Sequence, residues 1–130
     1  MADQLILIIE DNERNLKLVR DILQFNGFRT AEARTAEEGL ALARSRAPDL
    51  VLLDIQLPGI DGMEAFQKLR ESPPTADTPV VAVTAFAMKD DRERVLRAGF
   101  NGYLEKPISV RELPQQVRAF LTGVEPNDDR

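Results

Sequence analysis

The stretch Asp49-Leu50-Val51-Leu52-Leu53-Asp54-Ile55-Gln56-Leu57-Pro58-Gly59-Ile60-Asp61-Gly62 decides how the rest of the chain is read. Its apolar residues Leu50 to Leu53 run without interruption into a carboxylate, and a Pro-Gly loop follows shortly after. A short unbroken apolar run is the pattern of a strand buried on both faces, as in a parallel sheet. A charge where such a strand emerges is badly placed for packing and well placed for chemistry.

Upstream, Leu5 to Ile9 is a second such run and ends at Glu10-Asp11. From Glu13 to Asn26 the residues Leu16, Val19 and Leu23 recur on one helical face, and Gly27 is the natural stop. Arg29 to Ala33 alternates polar with small residues, which predicts a half-exposed edge strand. Thr35-Ala36-Glu37-Glu38 is a capping-box pattern, and Ala36, Leu40 and Ala43 give the next helix its apolar stripe before Pro48 closes the unit.

Downstream, Met63, Phe66 and Leu69 mark a third helix. Ser72 to Asp77 reads as a polar surface connection inside one domain. Val80 to Val83 is a buried strand ending at Thr84, and a helix from Met88 to Ala98 stops at Gly99. Gly102 to Glu105 is a short strand ending at Lys106-Pro107. Ser109-Val110-Arg111-Glu112 is a second capping box, before a helix carrying Leu113, Val117, Phe120 and Leu121 on one side. Pro114 either kinks that helix or marks where it restarts after a first short turn. Five strands alternating with five helices predict a doubly wound α/β domain around a parallel sheet.

Composition removes much else. The chain has 130 residues, no Cys and no His, which excludes disulfides, thiolate or imidazole metal sites and phosphohistidine on this chain. Its net charge of -5 and lack of a basic stripe argue against a nucleic-acid partner. The apolar runs are far too short to span a membrane, and Asp3 with no basic segment before it argues against a signal peptide. The expected location is the cytoplasm.

In doubly wound folds, ligands bind at the carboxyl ends of the strands. There stand Glu10, Asp11, Asp54, Thr84 and Lys106. Three carboxylates at one sheet edge repel one another unless a cation intervenes, and an all-oxygen donor set suits Mg2+. Lys106 and the Thr84 hydroxyl are left for an anion beside the metal, which implies a phosphoryl group. Taken singly, each residue has a plainer reading. Acidic residues favour helix N-termini, Thr is common in strands, and surface Lys is usually just solvated. Their coincidence at one edge favours the chemical reading.

The pieces Glu10-Asp11, Leu52-Leu53-Asp54-Ile55-Gln56-Leu57-Pro58-Gly59-Ile60-Asp61-Gly62, Thr84-Ala85 and Tyr103-Leu104-Glu105-Lys106-Pro107, in this order and spacing, resemble the receiver domain of bacterial two-component response regulators. The resemblance covers essentially the whole chain and is closest to single-domain chemotaxis and cell-cycle regulators. It implies a flavodoxin-like (β/α)5 fold with strand order 2-1-3-4-5, a receiver over 1–123 and a polar tail over 124–130. It implies Asp54 as phosphoacceptor, taking the group from a histidine kinase or phosphotransfer protein. Asp11 and Asp54 would ligate Mg2+, with Glu10 acting through water and the Gln56 backbone carbonyl completing the site.

Lys106 would pair with the phosphoryl group or, before it arrives, with Asp54. Thr84 and Tyr103 would form the switch, and Lys106-Pro107 would be cis. Gln56 and Phe86 stand where relatives tune phosphoryl lifetime. Asp61 and Gly62 read as loop and helix-cap residues. The output face would be the fourth helix, fifth strand and last helix, with Arg92, Val95 and Tyr103 as candidates, while the phosphodonor would meet Asn12 to Leu16.

The resemblance implies a signalling domain that catalyses only its own phosphorylation and slow dephosphorylation. One alternative is a receiver excised from a hybrid kinase or other multidomain regulator. Another is a Mg2+-dependent aspartyl-phosphate phosphohydrolase. That class carries an Asp two residues after the nucleophile, where this chain has Gln56. A receiver-like module that takes no phosphate ranks lowest, because every expected site residue is present.

Overall fold

The computed structural model describes residues 4–57, 61–85 and 89–122, with the side chains of 89–91 left aside. The strands are β1 (Leu5–Ile9), β2 (Arg29–Ala33), β3 (Leu50–Asp54), β4 (Val80–Thr84) and β5 (Gly102–Glu105). The helices are α1 (Glu13–Phe25), α2 (Ala36–Arg46), α3 (Gly62–Glu71), α4 (Lys89–Ala98) and α5 (Leu113–Thr122). All pairings are parallel and the sheet order is β2-β1-β3-β4-β5, as expected.

Side chains alternate across a strand, so each central strand feeds two cores. Leu5, Leu7 and Ile9 of β1 join Val51 and Leu53 of β3 in a core with residues of α2, α3 and α4. Ile6 and Ile8 join Leu50, Leu52, Val81 and Val83 against α1 and α5. This double burial is why the central strands lack polar alternation. β2, at the sheet edge, keeps Arg29 in solvent and buries only Ala31 and Ala33.

Helix starts follow the sequence signals. The side chains of Asn12, Thr35 and Asp61 cap α1, α2 and α3 by accepting the N–H of Asn15, Glu38 and Glu64. The Ser109 hydroxyl accepts the Glu112 N–H at 3.1 Å, but the helix proper starts at Leu113. Pro114 is therefore the second helical residue, where a missing N–H breaks no intrahelical bond. Of the two readings of Pro114, restart is the one observed.

One local feature departs from the sequence reading. The Ser72–Asp77 connection is not wholly on the surface. It holds a 3-10 turn, Pro73–Thr75, whose Thr75 is buried and donates its hydroxyl to the Leu69 carbonyl. Arg70 ties the same connection down, donating to the Thr75 and Thr78 carbonyls and to Asn101 Oδ1 while lying over the Phe66 ring. At the end of α2, Ala47 takes the left-handed conformation at φ 48°. A side chain there costs about 1 kcal/mol that glycine avoids. Ala47→Gly should therefore raise the melting temperature by ~2–3 °C, after part of the gain is lost to the freer unfolded chain. An unchanged or lower melting temperature would show that the strain is already relieved.

Candidate functional site

The period of a strand explains which site residues meet. Glu10 extends the Ile6–Ile8 series of β1, and its N–H still bonds the Ala33 carbonyl at 3.0 Å, so the extended ladder reaches it. Asp54 extends the Leu50–Leu52 series of β3, and Lys106 extends the Gly102–Leu104 series of β5, with its N–H on the Thr84 carbonyl at 2.8 Å. These three fall on the α1/α5 side of the sheet. Thr84 and Tyr103 carry the opposite parity, and Tyr103 packs against the core shared with α2–α4. The expected site thus divides into a charged trio on one face and the Thr84–Tyr103 pair on the other.

The trio is tight. Lys106 Nζ lies 2.9 Å from Glu10 Oε1 and 3.2 Å from Asp54 Oδ2. Glu10 is only 4% exposed and Asp54 3%, so neither carboxylate is stabilised by bulk water. Their other oxygens are held by the backbone, Glu10 Oε2 by the Asn12 N–H at 3.1 Å and Asp54 Oδ1 by the Gln56 N–H at 2.9 Å. Asp11 is exposed beside them, and Glu10, Asp11 and Asp54 each offer an oxygen within 4.8 Å of the others. Lys106-Pro107 is cis, as the resemblance implied.

Burial pushes the Glu10 carboxyl up to about 7, opposed by the Lys106 hydrogen bond and reinforced by the neighbouring Asp54 charge. Burial also disfavours the charged form of Lys106. The Glu10 hydrogen bond and the Asp54 charge outweigh it and hold the ammonium above its ordinary value. One cation facing three carboxylates leaves a deficit of positive charge. The donor set is entirely oxygen, which fits a hard divalent cation and excludes thiolate or imidazole ligation.

A sequence comparison decides the family. The pattern described as "Response regulator receiver domain" matches residues 6–118. The chain belongs to the response regulator receiver family. This receiver is 44% identical over 116 residues to the polar-differentiation response regulator DivK of Brucella ovis, covering 89% of this chain and 94% of that protein. It is 31% identical to a CheY-like receiver domain protein from Methanospirillum hungatei, with a TM-score of 0.83 over 92% of this chain and 94% of that one. It is 32% identical to the receiver domain of sensor histidine kinase PA1611 from Pseudomonas aeruginosa, with a TM-score of 0.84 over 92% and 98%. That structure is described with a magnesium ion coordinated in the active site cleft. Receivers as a family are two-component signalling domains that work with histidine kinases and downstream targets.

The structure brings Glu10, Asp11, Asp54, Gln56 and Lys106 of this receiver together and buries Thr84 at the adjacent strand end. Asp61 and Gly62 start α3, in line with their reading as cap residues. Phe86, the Pro58–Ile60 loop, Met88 and the tail lie outside the described residues. Among the candidates for partner contact, Arg92 is exposed and Tyr103 half-buried, but Val95 is fully buried in the core beneath α4 and is withdrawn. Of the stretch expected to meet the phosphodonor, Asn12 to Arg14 are exposed while Leu16 is buried. Two contacts were not read from sequence. Lys106 approaches Glu10 more closely than Asp54, and Gln56 Oε1 accepts the Ala85 N–H at 3.3 Å. Parity puts the three residues of the first on one face but not in that order of approach, and the second depends on a rotamer.

Proposed function

We propose that this receiver accepts a phosphoryl group on Asp54 and uses it to switch contacts with other proteins. The observation that carries the reading is the buried Asp54 carboxylate, gripped by the Lys106 ammonium with Glu10 and Asp11 beside it. In the reaction a carboxylate oxygen of Asp54 bonds to phosphorus. The bond from phosphorus to the donor histidine nitrogen breaks, and its electron pair stays with the imidazole. Asp11, Asp54 and the Gln56 backbone carbonyl would hold Mg2+, with Glu10 alongside. When bound, the cation supplies positive charge against the oxygens of the transferring group. Lys106 binds and orients one of those oxygens, and Thr84 donates its hydroxyl to another.

Movement of Thr84 toward the group, with Tyr103 following, biases the α4–β5 side between two arrangements. A groove of about 380 Å³ on that side, lined in part by Arg92, Tyr103, Glu105, Glu112 and Gln116, is the proposed target surface. The upstream donor is a histidine kinase or phosphotransfer protein. The receiver is assigned to 1–123 and a polar tail to 124–130. It acts in the cytoplasm as a signalling domain without nucleic-acid or membrane partners. Among the described residues no helix is long and apolar enough to cross a membrane.

The chain is not a phosphohydrolase, because the Gln56 amide cannot ionise to act as general acid or base where those enzymes carry an acid. The likeness to the PA1611 receiver favours a second reading, in which the same chemistry serves a domain of a hybrid kinase. The test is intact-mass analysis after incubation with Mg2+ and acetyl phosphate. One labile phosphoryl adduct is expected on the wild type and none on Asp54→Asn. An unmodified wild type, or an adduct retained by the variant, would remove Asp54 from the role.

A further inference from the structure

The hydrogen bonding of Gln56 links the acceptor carboxylate to the backbone just after Thr84. Its backbone N–H donates to Asp54 Oδ1 at 2.9 Å, while its side-chain Oε1 accepts the Ala85 N–H at 3.3 Å. The β3–β4 pairing ends with the Ile55 N–H on the Val83 carbonyl at 3.1 Å. Beyond it the Gln56 backbone turns away to bond Asp54. In a continuing parallel strand the next N–H on the β4 side, that of Ala85, would meet the Ile55 carbonyl, but that carbonyl accepts the Gly62 N–H at 3.3 Å instead. The Gln56 amide oxygen takes that place and carries the pairing one rung further through a side chain.

We propose that Gln56 is a positioning residue that holds the Ala85 backbone at the end of β4 in its unmodified place, by serving as a neutral substitute for the anion this edge is built to receive. The inference rests on the reading of Asp54 as phosphoacceptor. A backbone N–H has one hydrogen to give, so an anion drawing on Ala85 must displace Gln56 Oε1. The exchange is biased in the required direction. A neutral bond at 3.3 Å is long for N–H···O, whereas a bond to an anionic oxygen is shorter and roughly twice as strong. The strap therefore holds while the site is empty and yields when an anion arrives. Ala85 itself is exposed, so nothing in the packing of its side chain duplicates the restraint.

The experiment follows hydrogen exchange of the Ala85 amide by NMR in the unmodified protein, without Mg2+ or phosphodonor. Gln56→Met keeps length and removes the acceptor, and Gln56→Glu keeps an acceptor oxygen. Exchange at Ala85 should quicken about five-fold in the Met variant, the loss of one ordinary hydrogen bond, and return toward wild type in the Glu variant. The Thr84 and Ala85 signals of the Met variant should also lie part-way toward those of wild type treated with acetyl phosphate and Mg2+. Equal exchange in wild type and Gln56→Met would overturn the proposal, as would quickening of the same size in both variants, which marks mere disturbance of the strand end. A wild type that takes no phosphoryl group would instead sink the Asp54 reading, while the exchange data still decide the strap.

Discussion

Gly62→Ala should lower the melting temperature by ~5–10 °C and slow the appearance of the phosphoryl adduct, although helix propensity alone favours the change. Gly62 is the first residue of α3, and alanine is the better helix former by about 1 kcal/mol. A methyl at this position would run into the Ile55 Cα and come within 2.9 Å of the Asp54 carbonyl oxygen. Both are backbone, so the collision cannot be relieved by rotating a side chain. Overpacking of this kind costs roughly 1–3 kcal/mol even where side chains can yield, and the figure is higher here. The collision wins, at the expense of the strand end that carries Asp54. Displacing Ile55 also weakens the Gly62 N–H bond to the Ile55 carbonyl, at 3.3 Å in the wild type. Thermal melting and adduct formation with acetyl phosphate measure the two effects. A rise in melting temperature, as propensity predicts, would show that the contact relaxes freely.

Gly62 also shows where sequence reading stops. As a residue beside a Pro-Gly loop it reads as a helix start, which is correct. The reason no side chain fits there is the end of β3, which the chain has only just left and whose backbone lies against Gly62, a geometric fact with no signature in residue type. The same distinction runs through the molecule. Leu5–Ile9, Leu50–Leu53 and Val80–Val83 were legible because burial on both faces removes polar alternation. Thr75 was misread because a buried hydroxyl satisfied by the Leu69 carbonyl is, in sequence, indistinguishable from an exposed one. Val95 was misplaced because two adjacent apolar residues in a polar helix, Val95 and Leu96, do not reveal which one faces the core; Val95 is buried and Leu96 is exposed. The site was legible as a set of strand ends. Its division into a charged trio and a Thr84–Tyr103 pair follows from parity alone, whereas the Gln56–Ala85 contact required coordinates.

Lys106→Met should cost roughly 3 kcal/mol of stability at pH 8 without divalent cation, and distinctly less at pH 5. Lys106 is the cation that faces Glu10 at 2.9 Å and Asp54 at 3.2 Å, and both carboxylates are buried. Methionine of similar length preserves the packing of the stem and removes only the charge. Two neighbouring buried carboxylates are then left without a counter-charge, the costly case for buried ions. The pH dependence follows from Glu10. Its carboxyl is raised from 4.5 to about 7 in the folded wild type, so the folded state binds this proton more tightly than the unfolded chain does. That contribution is complete below pH 4.5 and is lost as pH rises through about 7. Removing Lys106 takes away the attraction that lowers the Glu10 value, so the loss extends to higher pH and deepens. At pH 5 the variant's Glu10 is protonated and most of the repulsion is gone. Because Glu10 and Asp54, beside Asp11, then lack their ammonium, added Mg2+ should raise the melting temperature of the variant more than that of the wild type, even though adduct formation is impaired. Denaturant unfolding at pH 5 and pH 8, with and without Mg2+, measures both effects. An equal loss at the two pH values would mean that Lys106 contributes packing and not charge, and equal Mg2+ shifts would mean that its ammonium does not compete with a cation for these oxygens.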